Sequence, residues 1–466
     1  MSTPGTAENP LRVAVVGCGP SGFYVADALV KTAGLVAQVD MFDRLPTPYG
    51  LVRYGVAPDH QEVKRVTKVY AKTAEHPSVR WFGGVQFGKD LTIEDVRAHY
   101  HAVVFTTGAQ TDRRLDVPGE DLKGSHPATQ FVAWYNGHPD CRHLTFDLDT
   151  ERAVVIGVGN VAIDVARMLC RTPEELAKTD IADHALDALR KSRVKEVLLV
   201  GRRGPAQAAF TSSELEEIGE LADADAVARP DEIALDPLSK AELVAHPDRQ
   251  TDLKLKMMEK YAALGEGTKA KKLRLRFCLS PVELRGDGAG HVRGLRLVKN
   301  ALVAGADGAI KAQATSTFED IETGLVFRSV GYRGVALPGV PFDEKKGTIP
   351  NDAGRVLDAA KQPVVGAYVA GWIKRGPSGV IGTNRACAVE TVKGLAADVT
   401  AGRLLAPATP SRDALTALLE RRGVRWFTFA EWTKLDGIEV ARGTATGRPR
   451  VKFTSPDDMR AAVTTA

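Results

Sequence analysis

The feature that most constrains this chain is a glycine-rich loop that occurs twice, each time between an apolar run and a helix-like pattern. The first is Val13–Val16 followed by Gly17, Gly19, Ser21 and Gly22; the second is Arg152–Ile156 followed by Gly157, Gly159 and Asn160-Val161-Ala162. A continuous apolar run reads as a strand buried on both faces of a parallel sheet. Gly17 permits the tight turn, Gly19 lets backbone approach a pyrophosphate, and Gly22 lets the helix pack closely on the strand. The helix N-terminus offers unpaired N–H groups and the positive end of a dipole to phosphate. The first helix is expected to bury Phe23, Ala26, Leu29, Val30 and Ala33. A strand over Val36–Phe42 then ends at Asp43, an acid placed to hold a ribose hydroxyl pair. One such loop implies one dinucleotide and two imply two, which points to hydride passage between a bound flavin and a nicotinamide.

The second unit differs usefully. Ala162 stands where the first loop has its third glycine, and the helix is expected to bury Val161, Val165, Met168 and Leu169. The next strand, Val197–Val200, runs into Gly201-Arg202-Arg203-Gly204, where an NAD site wants a carboxylate. Guanidinium forks match phosphate geometry and carry fixed charge, so the pair reads as a clamp on the 2′-phosphate of NADP. The alternative is two solvated charges on a surface turn. The separation of loop and arginines is roughly twice the usual ~20 residues, which an inserted helical segment over Arg171–Arg193 accounts for. A third glycine-rich stretch, Tyr368–Asn384, leads into a helix expected to turn Ala386, Val389, Val392 and Leu395 inward. Such a helix N-terminus at a flavin stabilises charge developing near N1 and C2=O; an ordinary strand–loop–helix connection is the other reading.

Composition sets outer bounds. At 466 residues the chain exceeds one core, so two or three domains are expected. A formal charge of +4 is too mild to argue for nucleic acid, although local basic patches can dock an acidic partner. Cys18, Cys141, Cys170, Cys278 and Cys387 include no C-x-x-C pair, so there is no iron–sulfur, zinc or redox-dithiol signature and no metal site is expected. Scattered cysteines fit a reducing, cytoplasmic compartment. Met1–Arg12 lacks an apolar core and reads as a short tail, and no window supplies a membrane span.

Four segments carry a more specific resemblance. They are Leu45-Pro46-Thr47-Pro48-Tyr49-Gly50-Leu51-Val52-Arg53-Tyr54-Gly55-Val56-Ala57-Pro58-Asp59-His60, then Gly159–Arg167, then Gly201-Arg202-Arg203-Gly204-Pro205, then Gly371–Asn384. In this order, and across nearly the whole chain, they resemble the ferredoxin–NADP reductases of the adrenodoxin reductase type and their bacterial relatives. Trp372 follows Gly371, as in this subgroup, where the broader superfamily has aspartate. The resemblance implies an α/β fold of two Rossmann-like, glutathione-reductase-like nucleotide-binding domains, the second inserted in the first. An FAD domain would comprise residues 1–112 and 333–466, and an NADP domain residues 113–332.

By motif position the resemblance assigns Gly17, Gly19, Ser21, Gly22, Asp43, Leu51, Val85, Trp372 and Gly379-Val380-Ile381 to FAD, with backbone at Val85 against the adenine in a strand over Trp81–Phe87. It assigns Arg113, Gly157, Gly159, Asn160, Val161, Ala162, Arg202, Arg203, Glu214 and Gly379 to NADP. It also places His60 and Glu217 beside the nicotinamide, to position the ring or relay a proton; a surface histidine and a solvated carboxylate are the other reading. Asp59 and Glu62 have capping-box spacing for a helix over Gln61–Ala74.

On that helix Lys64, Lys68 and Lys72 form a stripe that either steers an acidic ferredoxin or merely solubilises the face. The region Ala222–Gly267 reads as helices with loops. The tail beyond Ala408, with Trp426, Phe427, Trp432 and the basic run Gly447–Lys452, reads as a terminal helix packed on the FAD domain rather than a nucleic-acid arm. The expected activity is NADPH:ferredoxin oxidoreduction, with hydride passing from NADPH C4 to flavin N5, then single electrons to a small, transiently docked iron–sulfur ferredoxin that could feed a cytochrome P450. An NADPH-dependent diaphorase or monooxygenase, or a non-catalytic nucleotide sensor, are the competing expectations.

Overall fold

The computed structural model describes residues 3–464. Leu11–Val16, with all six residues buried, is the strand the apolar run anticipates, and it lies inside a seven-stranded sheet. Across that sheet the order is Asn351–Asp352, Arg355–Leu357, Pro363–Val369, Ala102–Phe105, Leu11–Val16, Ala37–Asp43 and Val79–Gly83. The last five are parallel neighbours, and the two short strands form an antiparallel edge. Both ends of the chain therefore build one sheet.

The middle of the chain builds another. Its six strands run Ser125–Pro127, Leu325–Arg328, Arg152–Ile156, Glu196–Val200, Lys271–Arg276 and Ala224–Ala228, all parallel. Helices cover one face. The other is partly covered by an antiparallel three-stranded sheet, Leu279–Gly286, Val292–Ala304 and Ile310–Glu322, which sets Leu284, Leu295, Leu297 and Ile321 against Val154, Ile156, Leu198 and Val200. The chain passes between the two sheet systems at Thr111–Asp112 and Tyr332–Arg333, and these two extended pieces pair with each other. This is the anticipated α/β fold of Rossmann-like parallel sheets.

Several local expectations need correction. The first helix, Pro20–Lys31, buries Phe23, Ala26 and Leu29, but Val30 is half-buried and Ala33 lies beyond its end and is exposed. Val161 is only half-buried. In the helix Thr383–Thr400, Val392 and Leu395 face inward, whereas Ala386 and Val389 are exposed, and Asn384, Cys387, Ala388 and Thr391 fill the buried stripe. Polar and small residues at those positions hid the register. Trp81–Phe87 is a strand only over Val79–Gly83. Ala222–Gly267 contains an edge strand, Ala224–Ala228, whose alanine-rich sequence carries little β-signal. The expected helix Gln61–Ala74 is two pieces, Gln61–Lys64 and Thr67–Ala74, and no side chain caps the first. Asp59 is drawn away to two arginines of the middle lobe instead.

The C-terminal helices Phe429–Thr444 and Pro456–Thr464 bury Trp432, Leu435 and Met459 in the core shared with Val13, Val15 and Phe23. The basic run between them is not a surface arm. Arg448 donates to the Thr179 and Ile181 carbonyls and to Asp183, and Lys452 reaches Asn136 and Asp180, so this strap pins the two-ended lobe to the middle one.

Candidate functional site

Two glycine loops and the Gly50 turn converge on one cradle. Gly17 sits at φ +101°, and a Cβ there would lie 2.7 Å from the Thr106 backbone. A Cβ at Gly22 would lie 2.2 Å from the Gly17 carbonyl oxygen, so helix and strand pack as the motif requires. Gly19 differs: its nearest neighbour would be Gly50 Cα at 3.9 Å, leaving the backbone open to a ligand. Gly50, at φ +49°, packs on Gly19, whose Cα would lie 3.0 Å from an added Cβ, and leads directly into Leu51. Gly371, at φ +80°, leaves room for Ser21, whose Oγ would be 2.0 Å from an added Cβ, and Ser21 donates to Asn384 at 3.2 Å. No side chain caps the helix Pro20–Lys31, so its first N–H groups remain available to phosphate. Beside Gly17, the buried Thr107 hydroxyl has no partner. An uncapped helix, an open glycine and an orphaned hydroxyl in one cradle fit an FAD.

Asp43 ends its strand as anticipated. Its carboxylate accepts from the Cys18 and Leu45 N–H groups at 2.8 and 3.0 Å, which leaves further lone pairs for ribose hydroxyls. Burial raises its pKa against those two bonds. Val85 is buried nearby, but its N–H is spent on the Asp43 carbonyl at 2.8 Å, so any adenine contact at this residue falls to other atoms. Trp372 lies tilted against Tyr332, ring centroids 5.5 Å apart, and donates to the Ser378 carbonyl. Val380 is exposed, Gly379 takes φ +76°, and Ile381 packs on the core.

The second loop repeats the geometry. Gly157 is at φ +137°, with Ser329 O only 2.1 Å from a would-be Cβ, and its N–H donates to Val200 at 2.9 Å. Gly159 has nothing within 4 Å of an added Cβ, and no side chain caps the helix Asn160–Cys170. Ala162 is buried in that helix. The Asn160 amide oxygen accepts from the Thr211 N–H at 2.9 Å, which fixes the start of the helix Ser212–Gly219 beside the loop. Arg202 and Arg203 follow the neighbouring strand, and neither guanidinium has a partner among the described residues. Arg113 is exposed at the crossing, its stem against Gly331. Two unpaired guanidiniums at the mouth of an open glycine loop fit the phosphate of NADP.

The two loops face a common centre. His60, just past the cradle, places Nε2 2.8 Å from Glu217 Oε2 on the helix behind the second loop. Glu214, one turn earlier, has a buried oxygen without a partner. The ligand atoms of His60, Glu214 and Glu217 lie within 4.8 Å of one another, and the cation already in contact with His60 and Glu217 is the guanidinium of Arg167. Arg167 also binds Asp59 and Asp164, and Arg171 binds Asp59. Burial opposes charge on His60, but the Glu217 hydrogen bond, helped by Asp164 and Asp59 against Arg167, raises its pKa above the usual value. Glu214 is pushed up to about 7 by burial and by the Asp164 charge. Glu217 is held below its usual range by its His60 bond and Arg167, which outweigh burial.

Asp164 and Arg167 were not singled out in the sequence. Their signal was legible: Asn160, Asp164, Arg167 and Arg171 share one stripe of an otherwise apolar helix, and charges on such a stripe need buried partners. The lysine stripe is corrected. Lys64 is tied to Asp180 at 2.7 Å with little exposure, and only Lys68 and Lys72 remain free to meet solvent. No helix among the described residues is long and apolar enough to cross a membrane.

Comparison with known proteins agrees with this geometry. Residues 11–204 match the family described as pyridine nucleotide-disulphide oxidoreductase. A "Probable ferredoxin/ferredoxin--NADP reductase" of Mycobacterium bovis is 46% identical over 470 residues, covering 98% of this chain and 76% of the relative. The NADPH:adrenodoxin oxidoreductase of Salvelinus fontinalis is 44% identical, covering 98% and 92%. The solved structure of Mycobacterium tuberculosis FprA in complex with NADPH superposes with a TM-score of 0.90 at 42% identity, covering 98% of this chain and all of that one. The fold and the paired cradles define an FAD- and NADP-dependent oxidoreductase. The chain belongs to the ferredoxin–NADP reductases of the adrenodoxin reductase type.

Proposed function

We propose that this enzyme takes a hydride from NADPH and delivers electrons singly to an iron–sulfur ferredoxin. The observation that carries the reading is the His60–Glu217 contact, which joins the segment behind one nucleotide cradle to the helix behind the other. When bound, FAD supplies the conversion of a two-electron donor into a one-electron one. The chain's own work is placement and electrostatics. Gly19 and the uncapped helix at Pro20 hold one pyrophosphate, and Asp43 holds its ribose. Gly159 and Asn160 hold the other, with Arg202 and Arg203 on the 2′-phosphate and Arg113 at the rim. Leu51, Trp372 and Gly379–Ile381 line the ring site, and Glu214 meets the nicotinamide end of NADP. In the charged form of His60 the ring and Glu217 hold a proton at Nε2 beside the rings.

The two sheet systems support a division into an FAD domain of residues 1–112 and 333–466 and an NADP domain of residues 113–332, with the crossings at the Thr111–Asp112 and Tyr332–Arg333 pair. The five cysteines are all free, which fits a cytoplasmic site of action. The ferredoxin is read as acidic and transiently bound, since the exposed Lys68 and Lys72 offer it complementary charge; its reduction should then weaken as salt screens the encounter. An anaerobic absorbance titration tests the reading: yellow protein should bleach with NADPH at far lower concentration than with NADH. Cytochrome c reduction should then depend on added ferredoxin. Equal NADPH oxidation without a carrier, yielding peroxide or an oxygenated product, would move the assignment to a diaphorase or monooxygenase, and a colourless protein indifferent to NADPH to a sensor.

A further inference from the structure

The fully buried guanidinium of Arg167 touches four groups at once. It lies 2.6 Å from Asp59, 2.7 Å from Asp164, 2.6 Å from Glu217 and 2.8 Å from His60 Nε2. The same Nε2 is 2.8 Å from Glu217 Oε2. These two contacts on one nitrogen exclude each other. A lone pair at Nε2 accepts from Arg167 and cannot donate to Glu217. A proton at Nε2 donates to Glu217 and turns a positive edge toward the guanidinium. The other ring nitrogen, Nδ1, faces Asp164 at 3.9 Å, a direction that favours a proton there.

We propose that Arg167 is a positioning residue that selects the proton state of His60. The neutral ring keeps its proton on Nδ1, toward Asp164, and accepts at Nε2 from Arg167. Gain of a solvent proton at Nε2 hands that nitrogen to Glu217, whose side chain is one-third exposed and in touch with water. Protonation leaves two donors 2.8 Å apart, so the ring and the guanidinium ease away from each other while the Glu217 contact holds, and the nitrogen beside the reacting rings changes from acceptor to donor with only this local adjustment.

The surrounding charges set the balance. Asp59 comes from the histidine's own segment, Asp164 and Arg167 from one helix, and Glu214 and Glu217 from another; Arg171 neutralises Asp59 from behind, and the Tyr135 hydroxyl lies buried near Asp164. Asp59, Asp164 and Glu217 against two guanidiniums favour a charged ring, in line with the raised pKa of His60, while Glu214, pushed up to about 7, adds little charge. Arg167 is the counterweight that keeps the neutral ring within reach.

The inference rests on the placement of His60 beside the two rings. That placement is tested by bleaching with NADPH, whereas the tautomer is read without NADPH, so the two can fail separately. The flavin-loaded protein would be labelled with 15N-histidine, and the His60 ring signals picked out from those of the ten histidines by comparison with His60→Gln. Above its titration, wild-type His60 should show an unprotonated Nε2 and a protonated Nδ1. Arg167→Met removes a cation in contact, so the titration should rise by about one pH unit or more. The pH limb of NADPH-driven flavin reduction should move the same way. Lys at this position is a point charge that cannot fork to four partners, so Arg167→Lys should lose the Nδ1–H preference. A neutral wild-type ring protonated at Nε2 overturns the proposal, whatever becomes of the variants. So does an unmoved titration in a folded, flavin-loaded Arg167→Met.

Discussion

Asp180→Asn isolates one buried charge at the junction of the two lobes. Asp180 stands between Lys64 at 2.7 Å and Lys452 at 3.4 Å, with 2% of the Asp180 side chain and 1% of the Lys452 side chain exposed. Burial alone would raise the carboxyl pKa, but Lys452 and Lys64 together hold it far below the usual range. Burial pulls Lys452 well down, and Asp180 is the group that pulls it back. Asparagine keeps the shape and removes the charge, leaving two buried ammonium groups with neutral acceptors only, among them Asn136 Oδ1 at 3.1 Å. Breaking a buried pair in this way costs about 3–5 kcal/mol. The lower end applies, because one lysine can shed its proton. The sign with pH follows. A lysine whose folded pKa lies below its unfolded value releases a proton on folding, so stability rises as pH climbs between the two values. The deficit of the variant, read from urea unfolding followed by circular dichroism, should be about 3 kcal/mol at pH 7 and shrink toward pH 10. Lys64→Met, Asp180→Leu and Lys452→Met combined should recover most of it, since well-packed apolar replacements of buried ion pairs are often neutral. A deficit below about 1 kcal/mol at pH 7 would mean that water reaches the cluster and that the strap is not a buried lock.

Other substitutions read the two cradles separately. Gly19→Ala, where an added Cβ meets only open space and Gly50, should leave the apo-protein folded but lower the flavin absorbance per chain; Gly22→Ala, 2.2 Å from the Gly17 carbonyl, should lower thermal stability itself. Arg202→Ala and Arg203→Ala each remove charge-assisted bonds of about 1.5–3 kcal/mol, so NADPH should bind about 10- to 100-fold more weakly by flavin-bleaching titration, with NADH unaffected. Equal loss for NADH would refute the phosphate clamp. Glu214 at about 7 binds more protons folded than unfolded between its ordinary value and that one, so it erodes stability as pH rises through this window and keeps the penalty above it. Glu214→Gln should therefore be about 1–2 kcal/mol more stable than wild type at pH 8, after discounting for partial exposure, with the gain gone at pH 5 by urea unfolding.

What was legible in the sequence was whatever local physics dictates. Buried parallel strands announce themselves as apolar runs, and the loops after them as glycines that alone tolerate φ +101° at Gly17 or +137° at Gly157. The three-stranded sheet over Leu279–Glu322 went unread, since its outer strand Ile310–Glu322 is largely exposed and almost without an apolar face. The strand Ala224–Ala228 and the register of Thr383–Thr400 were hidden by small residues that pack by fit rather than by hydrophobicity. Charge partners were the least legible of all. Asp59 looked like a helix cap, Lys64 like a surface lysine and Gly447–Lys452 like a basic tail, because a sequence gives each charge its neighbours along the chain and not its partner across an interface.

Those partners share a pattern. Asp59, His60 and Lys64 lie within six consecutive positions, and each meets the middle lobe: Asp59 at Arg167 and Arg171, His60 at Glu217, Lys64 at Asp180. The strap adds Arg448 and Lys452 to the same junction. The contacts that hold the lobes together are therefore the contacts that build the site. Separation of the lobes would break the Arg167 cluster and return its charges to water, so what the cluster fixes is the geometry of the closed junction.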